Sequence, residues 1–350
     1  LNNNKTEETM ITRRQALAGA ATIAISRRAN AAGYDPAGTL VDAAKKEGRV
    51  VMYTASFTEV EQETATAFNK TFPFVKIEII RASGGQLIQR VKTEAAAGKL
   101  VADIVDHSDR GLMSPIADLF IDYAPPNAAD YLPGSQINPK FWPRITPVWC
   151  IASNSALVDT PPKTWMDLTN QKAWPPGTIG QVIAPSGGTT WTRILFERQV
   201  LGADYWAKQA ATKPTLYPSS APTTDAVIRG EVQVAPVIRN VIFPKQKDGA
   251  PVEMVFPAEG IPVVPYACGI PKSSGRPNAA KLFLDWCLSV EGQSFTMKEQ
   301  GNLTSLKAPP VALAGYDPKT SKIWLPDNKD FSDLHDSWTE EWNKTYGYRQ

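Results

Sequence analysis

The spacing of apolar residues along this chain switches between a strand register and a helix register, and the switches mark its elements. "GRVVMYTAS" (48–56) is a continuous apolar run after the helix-spaced "TLVDAAKKE", and a short unbroken run of this kind predicts a buried strand. A helical "FTEVEQETATAFNKTF" and a strand "FVKIEIIRAS" (74–83) follow. "GGQLIQRVKTEAAAGK" then places Leu87, Ile88, Val91 and Ala95 on one helical face, and "VADIVDHSD" (101–109) predicts a third strand. This βαβαβ order predicts a mainly parallel sheet with helices on both faces. Ligand-binding loops are expected at the carboxyl ends of its strands.

A Pro/Asn-rich passage, 122–143, breaks the alternation before a second α/β series begins. "RITPVWCIASNSALV" predicts a strand, and "TPPKTWMDLTNQKAWPP" a loop around a short helix. "TIGQVIAPS" and "EVQVAPVIRN" predict strands, with "TTWTRILFERQVLG", "DYWAKQAAT" and "TTDAVIRG" as helices between them. "GIPVVPYACGIPKSS" (260–274) is extended. "RPNAAKLFLDWCLSVEGQSFTMKEQG" reads as one long amphipathic helix with Ala280, Phe283, Leu284, Cys287 and Leu288 on one side. A Pro- and Trp-rich tail, 303–350, closes the chain. Two series without a flexible joint predict lobes joined by strands.

Composition narrows the functional classes. A chain of 350 residues exceeds the usual single-domain length, and 43% hydrophobic residues suffice for a full core. A formal charge of +2 with no basic tract argues against a nucleic-acid partner. Three cysteines without CxxC spacing and two histidines argue against a clustered Cys/His metal site. The amino end changes the picture most. From Met10 it reads "MITRRQALAGAATIAISRRANAA", with Arg13-Arg14, an apolar run from Ala16 to Ile25, and a small-residue site at Ala29-Asn30-Ala31. That order predicts a twin-arginine export signal, 1–31, cleaved near Ala31, and a periplasmic protein.

Enzyme motifs fail one by one. After Gly187-Gly188 comes no lysine, which excludes a phosphate-binding Walker loop; no G-x-G-x-x-G follows a strand. G-x-S-x-G is also absent, so Ser186 lacks the turn that raises a nucleophile. One hydrolase reading survives as a rival: Ser186 or Ser108 served by His107 as base.

Small polar loops at strand ends recur instead. Ser56, Ser83, Ser108 and Ser186 all fall where strand gives way to helix, and Gly84, Gly85, Gly187, Gly188 and Thr189 accompany them. Hydroxyls and first-turn N–H groups in such loops suit an anion. A buried anion also needs a partner charge. Arg239, followed by Asn240 at the end of "VQVAPVI", is the preferred partner, with Arg81 and Arg110 behind it.

"KKEGRVVMYTA", "RASGGQLIQRVKTEAAAGKLVADIVDHSD", "TTDAVIRGEVQVAPV" and "RPNAAKLFLDWCLSVEGQ", in this order, resemble the periplasmic solute-binding proteins of ABC importers. Within them the chain is similar to the branch of ferric-ion, phosphonate and sugar-phosphate binders. The resemblance spans about Gly33 to Ala308. It implies an α/β, two-lobed type II fold whose lobes are joined by two crossing strands, near Pro147–Ser153 and Val263–Ile270, around a ligand cleft. Lobe 1 would comprise 32–147 plus 263–302 and lobe 2 148–262, with 303–350 packing on the lobes. Side-by-side crossings would allow a Cys150–Cys268 disulfide. Tyr266, beside the second crossing, would stand against the ligand or in the hinge packing. Iron-binding members carry two adjacent tyrosines where this chain has Arg239-Asn240, so the resemblance favours a small anion over iron.

The expectation is a monomeric, non-catalytic receptor without a cofactor. It takes a carboxylate, phosphonate or phosphate ester and passes it to an ABC permease. The alternatives are a ferric-ion binder using a carried anion and an exported serine hydrolase.

Overall fold

The computed structural model describes residues 34–82 and 84–349; the expected export signal and Ser83 lie outside them. Pro36–Gln350 forms one compact unit. Its first part runs α1 (Gly38–Glu47), β1 (Arg49–Thr54), α2 (Thr58–Thr71), β2 (Lys76–Arg81), α3 (Gly85–Ala96), β3 (Ile104–His107) and a short α4 (Arg110–Met113). The middle part runs β4 (Trp149–Asn154), β5 (Gly180–Val182), α5 (Gly188–Val200), α6 (Tyr205–Ala210), β6 (Thr215–Tyr217), α7 (Ser220–Ile228), β7 (Val234–Ile238), α8 (Arg239–Lys247) and β8 (Val252–Val255). The last part is β9 (Ile261–Pro262), β10 (Ala267–Gly269), α9 (Pro277–Leu288), α10 (Val290–Gln300), β11 (Ile323–Trp324), α11 (Asn328–Asp333) and α12 (His335–Tyr346).

In the first lobe the strand order is β10-β3-β1-β2. β1 pairs in parallel with β2 and β3, as the apolar runs predict, and β10 lies antiparallel to β3 with Cys268 opposite Asp106. The second lobe differs from the first in strand direction. β4 arrives from the first lobe and runs against both β7 and β8; β5 and β6, β9 and β11, and the bridge from Ile179 to Val234 are parallel. A strand that crosses between lobes enters from the opposite direction to its neighbours, and periodicity does not encode that direction.

Two crossing segments run side by side. Val148 bridges Val263, Val264 N–H donates to the Pro147 carbonyl at 3.0 Å, and Tyr266 N–H to that of Ile145 at 3.0 Å. The pairing continues to Trp142 and Cys268, so the first segment lies a few residues before the expected Pro147–Ser153, most of which is already inside the second sheet as β4. Arg144, fully buried just before the first crossing, holds Glu61 of α2 at 2.6 Å and Asp106 of β3 at 2.5 Å.

The expected long helix over 277–300 is two. Ser289 ends α9 with extended backbone, and its hydroxyl accepts the Gly292 N–H at 3.2 Å, which caps α10. A serine inside an apolar stripe acts here as a helix start signal. All three cysteines are free and buried, so the disulfide allowed by the resemblance is not formed. Cys150 belongs to β4 in one lobe and Cys268 to β10 in the other. Phe331 and Trp342 of the tail sit in the core around Trp149, Trp165, Trp191 and Trp206, and the Trp191 indole donates to the Phe331 carbonyl at 2.7 Å.

Candidate functional site

Between the lobes lies a cavity of about 430 Å³, within the range of small-molecule sites. Several helices begin at its wall, α2 after Phe57 and α8 after Ile238 among them. α3 starts after Gly84, α5 after Gly187 and α7 after Ser219, and none of these starts is capped by a side-chain hydrogen bond. Their first-turn N–H groups and positive dipole ends therefore face the same space. Ser108, Ser186, Thr189, Thr190, Ser219 and Ser220 add hydroxyls, and Gln86 an amide. The Ser220 hydroxyl is buried without a partner.

Arg81, at the end of β2, is the cation on this wall, lying over the Phe57 ring at 5.7 Å from its centroid. No carboxylate lines the cavity among the described residues. Ala55, Phe57, Ile183, Ile238 and Tyr266 form its less polar part. Burial pushes the Tyr266 phenol well up, so it stays protonated and can donate. A larger groove, about 680 Å³, runs along α2, α8 and α10, but Glu59, Glu63, Asp248 and Glu299 on its walls oppose an anion.

The glycine loops touch across the cleft. Gly187, at φ +130°, holds a backbone that L side chains rarely adopt, and a Cβ there would lie 3.9 Å from Gly84. Gly188 approaches still closer: a Cβ would meet the Asp109 N and Cα at 2.7 Å. The lobes are therefore closed on each other, and at Gly188 the approach leaves no room for a Cβ.

His107 is a brace and not a base. Its Nδ1 accepts the Asp109 N–H at 2.8 Å, so Nε2 carries the proton and donates to the Gly84 carbonyl at 2.9 Å. Both ring nitrogens are used, and no lone pair is left for Ser108 or Ser186. Burial holds the imidazole pKa below its usual value. The unfolded chain then binds the extra proton first, so stability falls as pH drops through about 6.5. Wild type is expected to lose up to about 1.4 kcal/mol more per pH unit below that value than His107→Gln. Urea unfolding of both proteins between pH 5 and 8 measures the difference.

Of the residues singled out in the sequence, Gly84, Gly85, Ser108, Ser186, Gly187, Thr189 and Tyr266 line the cavity, and Gly188 packs directly beneath it. Ser56 does not: it is buried, and Ala55 and Phe57 on either side take the wall.

Arg239 and Asn240 are corrected. Both are buried in α8 away from the cleft. Arg239 donates to the Gly301 carbonyl at 3.0 Å and the Ala314 carbonyl at 3.3 Å. The reason is strand alternation: Ile238 takes the cleft face, so its neighbour is sent to the other. Arg110 is also buried, with a long contact to the Ser135 carbonyl. The Ser219-Ser220 start of α7 went unread, although it obeys the same rule of serine at a strand-to-helix turn; β6 is only three residues long and weakly apolar.

A cleft closed by two lobes on paired crossing strands, and walled by helix starts, defines a hinged receptor for a small solute. Residues 54–294 match the family model of the bacterial extracellular solute-binding proteins, and the chain belongs to that family. It is a solute receptor of the kind that serves ABC importers. A 25% identical, uncharacterized protein of Haemophilus influenzae aligns over 86% of this chain and 90% of its own. The fold matches the periplasmic binding protein AfuA of Actinobacillus pleuropneumoniae with fructose-6-phosphate bound, at TM-score 0.70 and 22% identity, over 87% of this chain and 100% of that one. Iron-bound HitA of Pseudomonas aeruginosa matches at TM-score 0.68 and 20% identity, over 84% and 99%. Among the described residues no cluster of His, Cys, Asp or Glu is placed to hold a metal, and no helix is long and apolar enough to cross a membrane.

Proposed function

We propose that the protein captures a small organic anion (a carboxylate, phosphonate or phosphate ester) in this cleft and hands it to an ABC permease. The observation that carries this reading is a wall of uncapped helix starts and Arg81, without one carboxylate among the described residues. The negative group would lie between Gly84-Gly85, Ser186-Gly187-Thr189 and Ser219-Ser220, and the body against Phe57, Ile183, Ile238 and Tyr266. Each helix start contributes about 0.3–1 kcal/mol toward a negative charge, and charge-assisted hydrogen bonds about 1.5–3 kcal/mol each. The bound fructose-6-phosphate in the fold relative AfuA is in keeping with such a ligand.

A ferric site would need several hard anionic ligands. This wall offers the single phenol Tyr266, which burial keeps protonated. The amino-terminal segment would direct export to the periplasm, where the receptor would work as a monomer.

Native mass spectrometry of the freshly purified protein, followed by calorimetric titration with inorganic phosphate, a hexose 6-phosphate, methylphosphonate, succinate and putrescine, tests the reading. A retained anion, or saturable binding of the anions but not of putrescine, is the expected result. Retention of iron, preference for the cation, or turnover of an added ester overturns it.

A further inference from the structure

The buried guanidinium of Arg239 faces a cavity that the solute cleft does not account for. This space, about 360 Å³, is lined by Cys150, Arg239, Phe243, Met254 and Phe256 together with the Ala314-Gly315 loop. On β4 the side chains alternate between two cores: Trp149 and Ile151 pack on the cleft side, Cys150 and Ala152 on the other. The second cavity is therefore on the opposite face of that sheet.

Arg239 is only 3% exposed and has no carboxylate partner among the described residues, and none lines its cavity. Phe243 and Phe256 cover its faces at 4.2 and 5.5 Å from the ring centroids. Two of its five N–H groups go to the Gly301 and Ala314 carbonyls. A buried cation satisfied only by dipoles and rings retains uncompensated charge. With the faces covered, the open approach is along the edge, where the remaining N–H groups present a fork.

We infer that Arg239 and this cavity form a second anion site, for a small organic monocarboxylate with an apolar or aromatic body. One negative charge neutralises the guanidinium. A phosphate dianion would leave excess charge beside two carbonyl oxygens. Phe243, Met254 and Phe256 provide the surface for the body. Burial lowers the pKa of the guanidinium, and the attraction of an arriving anion offsets that cost.

Benzoate is the probe. Calorimetric and NMR titration of the whole protein, with the solute cleft first saturated by the tightest anion of the panel, should show one saturable event that perturbs the Arg239 Nε–H resonance. Arg239→Met should weaken it at least about tenfold. Met254→Trp, which keeps the arginine and fills the cavity, should do the same if Arg239→Met fails to fold. Arg81→Glu, in the solute cleft, should leave it unchanged within about twofold, a tolerance equal to the scatter expected between distant sites. Absence of a saturable event, binding that survives both Arg239→Met and Met254→Trp, or binding lost with Arg81→Glu overturns the inference. A purely structural Arg239 would take up no benzoate.

Discussion

Gly188→Ala is expected to weaken binding of the tightest anion in the titration panel by about 5- to 150-fold. Its unliganded unfolding midpoint should stay close to wild type. The added methyl would sit 2.7 Å from the Asp109 backbone and 2.8 Å from that of Ser108, on the opposite lobe. That backbone is poorly able to yield. The Asp109 N–H is held by His107, and its carboxylate caps α4 through the Leu112 N–H at 3.0 Å. Overpacking of this kind costs about 1–3 kcal/mol, which converts to the stated range. The cost falls on the closed state alone, since opening separates the two loops. A penalty confined to one state shifts the balance away from it by its full amount. Calorimetry gives the affinity and small-angle scattering the closure. Unchanged affinity and ligand-induced compaction would contradict the closed-state contact.

The second large effect concerns charge. Arg81→Glu should weaken the same ligand by at least about tenfold and up to about a hundredfold, from the loss of a charge-assisted hydrogen bond. Like-charge repulsion adds to the loss. Arg81 is exposed and makes no ion pair among the described residues, so stability should barely move. Arg81→Gln should fall between the variant and wild type, and the gap between Gln and Glu should narrow as salt rises, because exposed charges are screened. Equal affinity in all three proteins would remove Arg81 from the site, and with it the only cation that the described wall supplies.

These two residues show where reading the chain succeeded and where it stopped. The loops at 84–85, 108 and 186–189 were legible because small residues at a strand-to-helix switch carry a local physical signature. Free N–H groups at a helix start do not depend on what stands opposite. Arg81 and Arg239 were legible as candidates, but not which of them stands on the cleft wall. Each follows an apolar strand, and a strand's period of two assigns faces only once the sheet is built. Ile238 lines the cleft, so Arg239 turns toward Phe243 and Phe256. His107 looked like a base because its partners, the Asp109 N–H and the Gly84 carbonyl, are backbone groups that no residue pattern announces.

Apolar spacing and loop chemistry by themselves determined that this chain is a two-series α/β protein with anion-suited loops at its strand ends, because periodicity and capping are local properties. Only the tertiary structure decided the direction of β4 in the second sheet, the division of the helix at Ser289, the free state of the cysteines and the identity of the cation in the cleft. Those outcomes depend on which lobe a strand enters from and which face of a sheet a residue meets. They are set by contacts between segments far apart in sequence, such as Gly188 against Asp109 and Arg239 against Gly301.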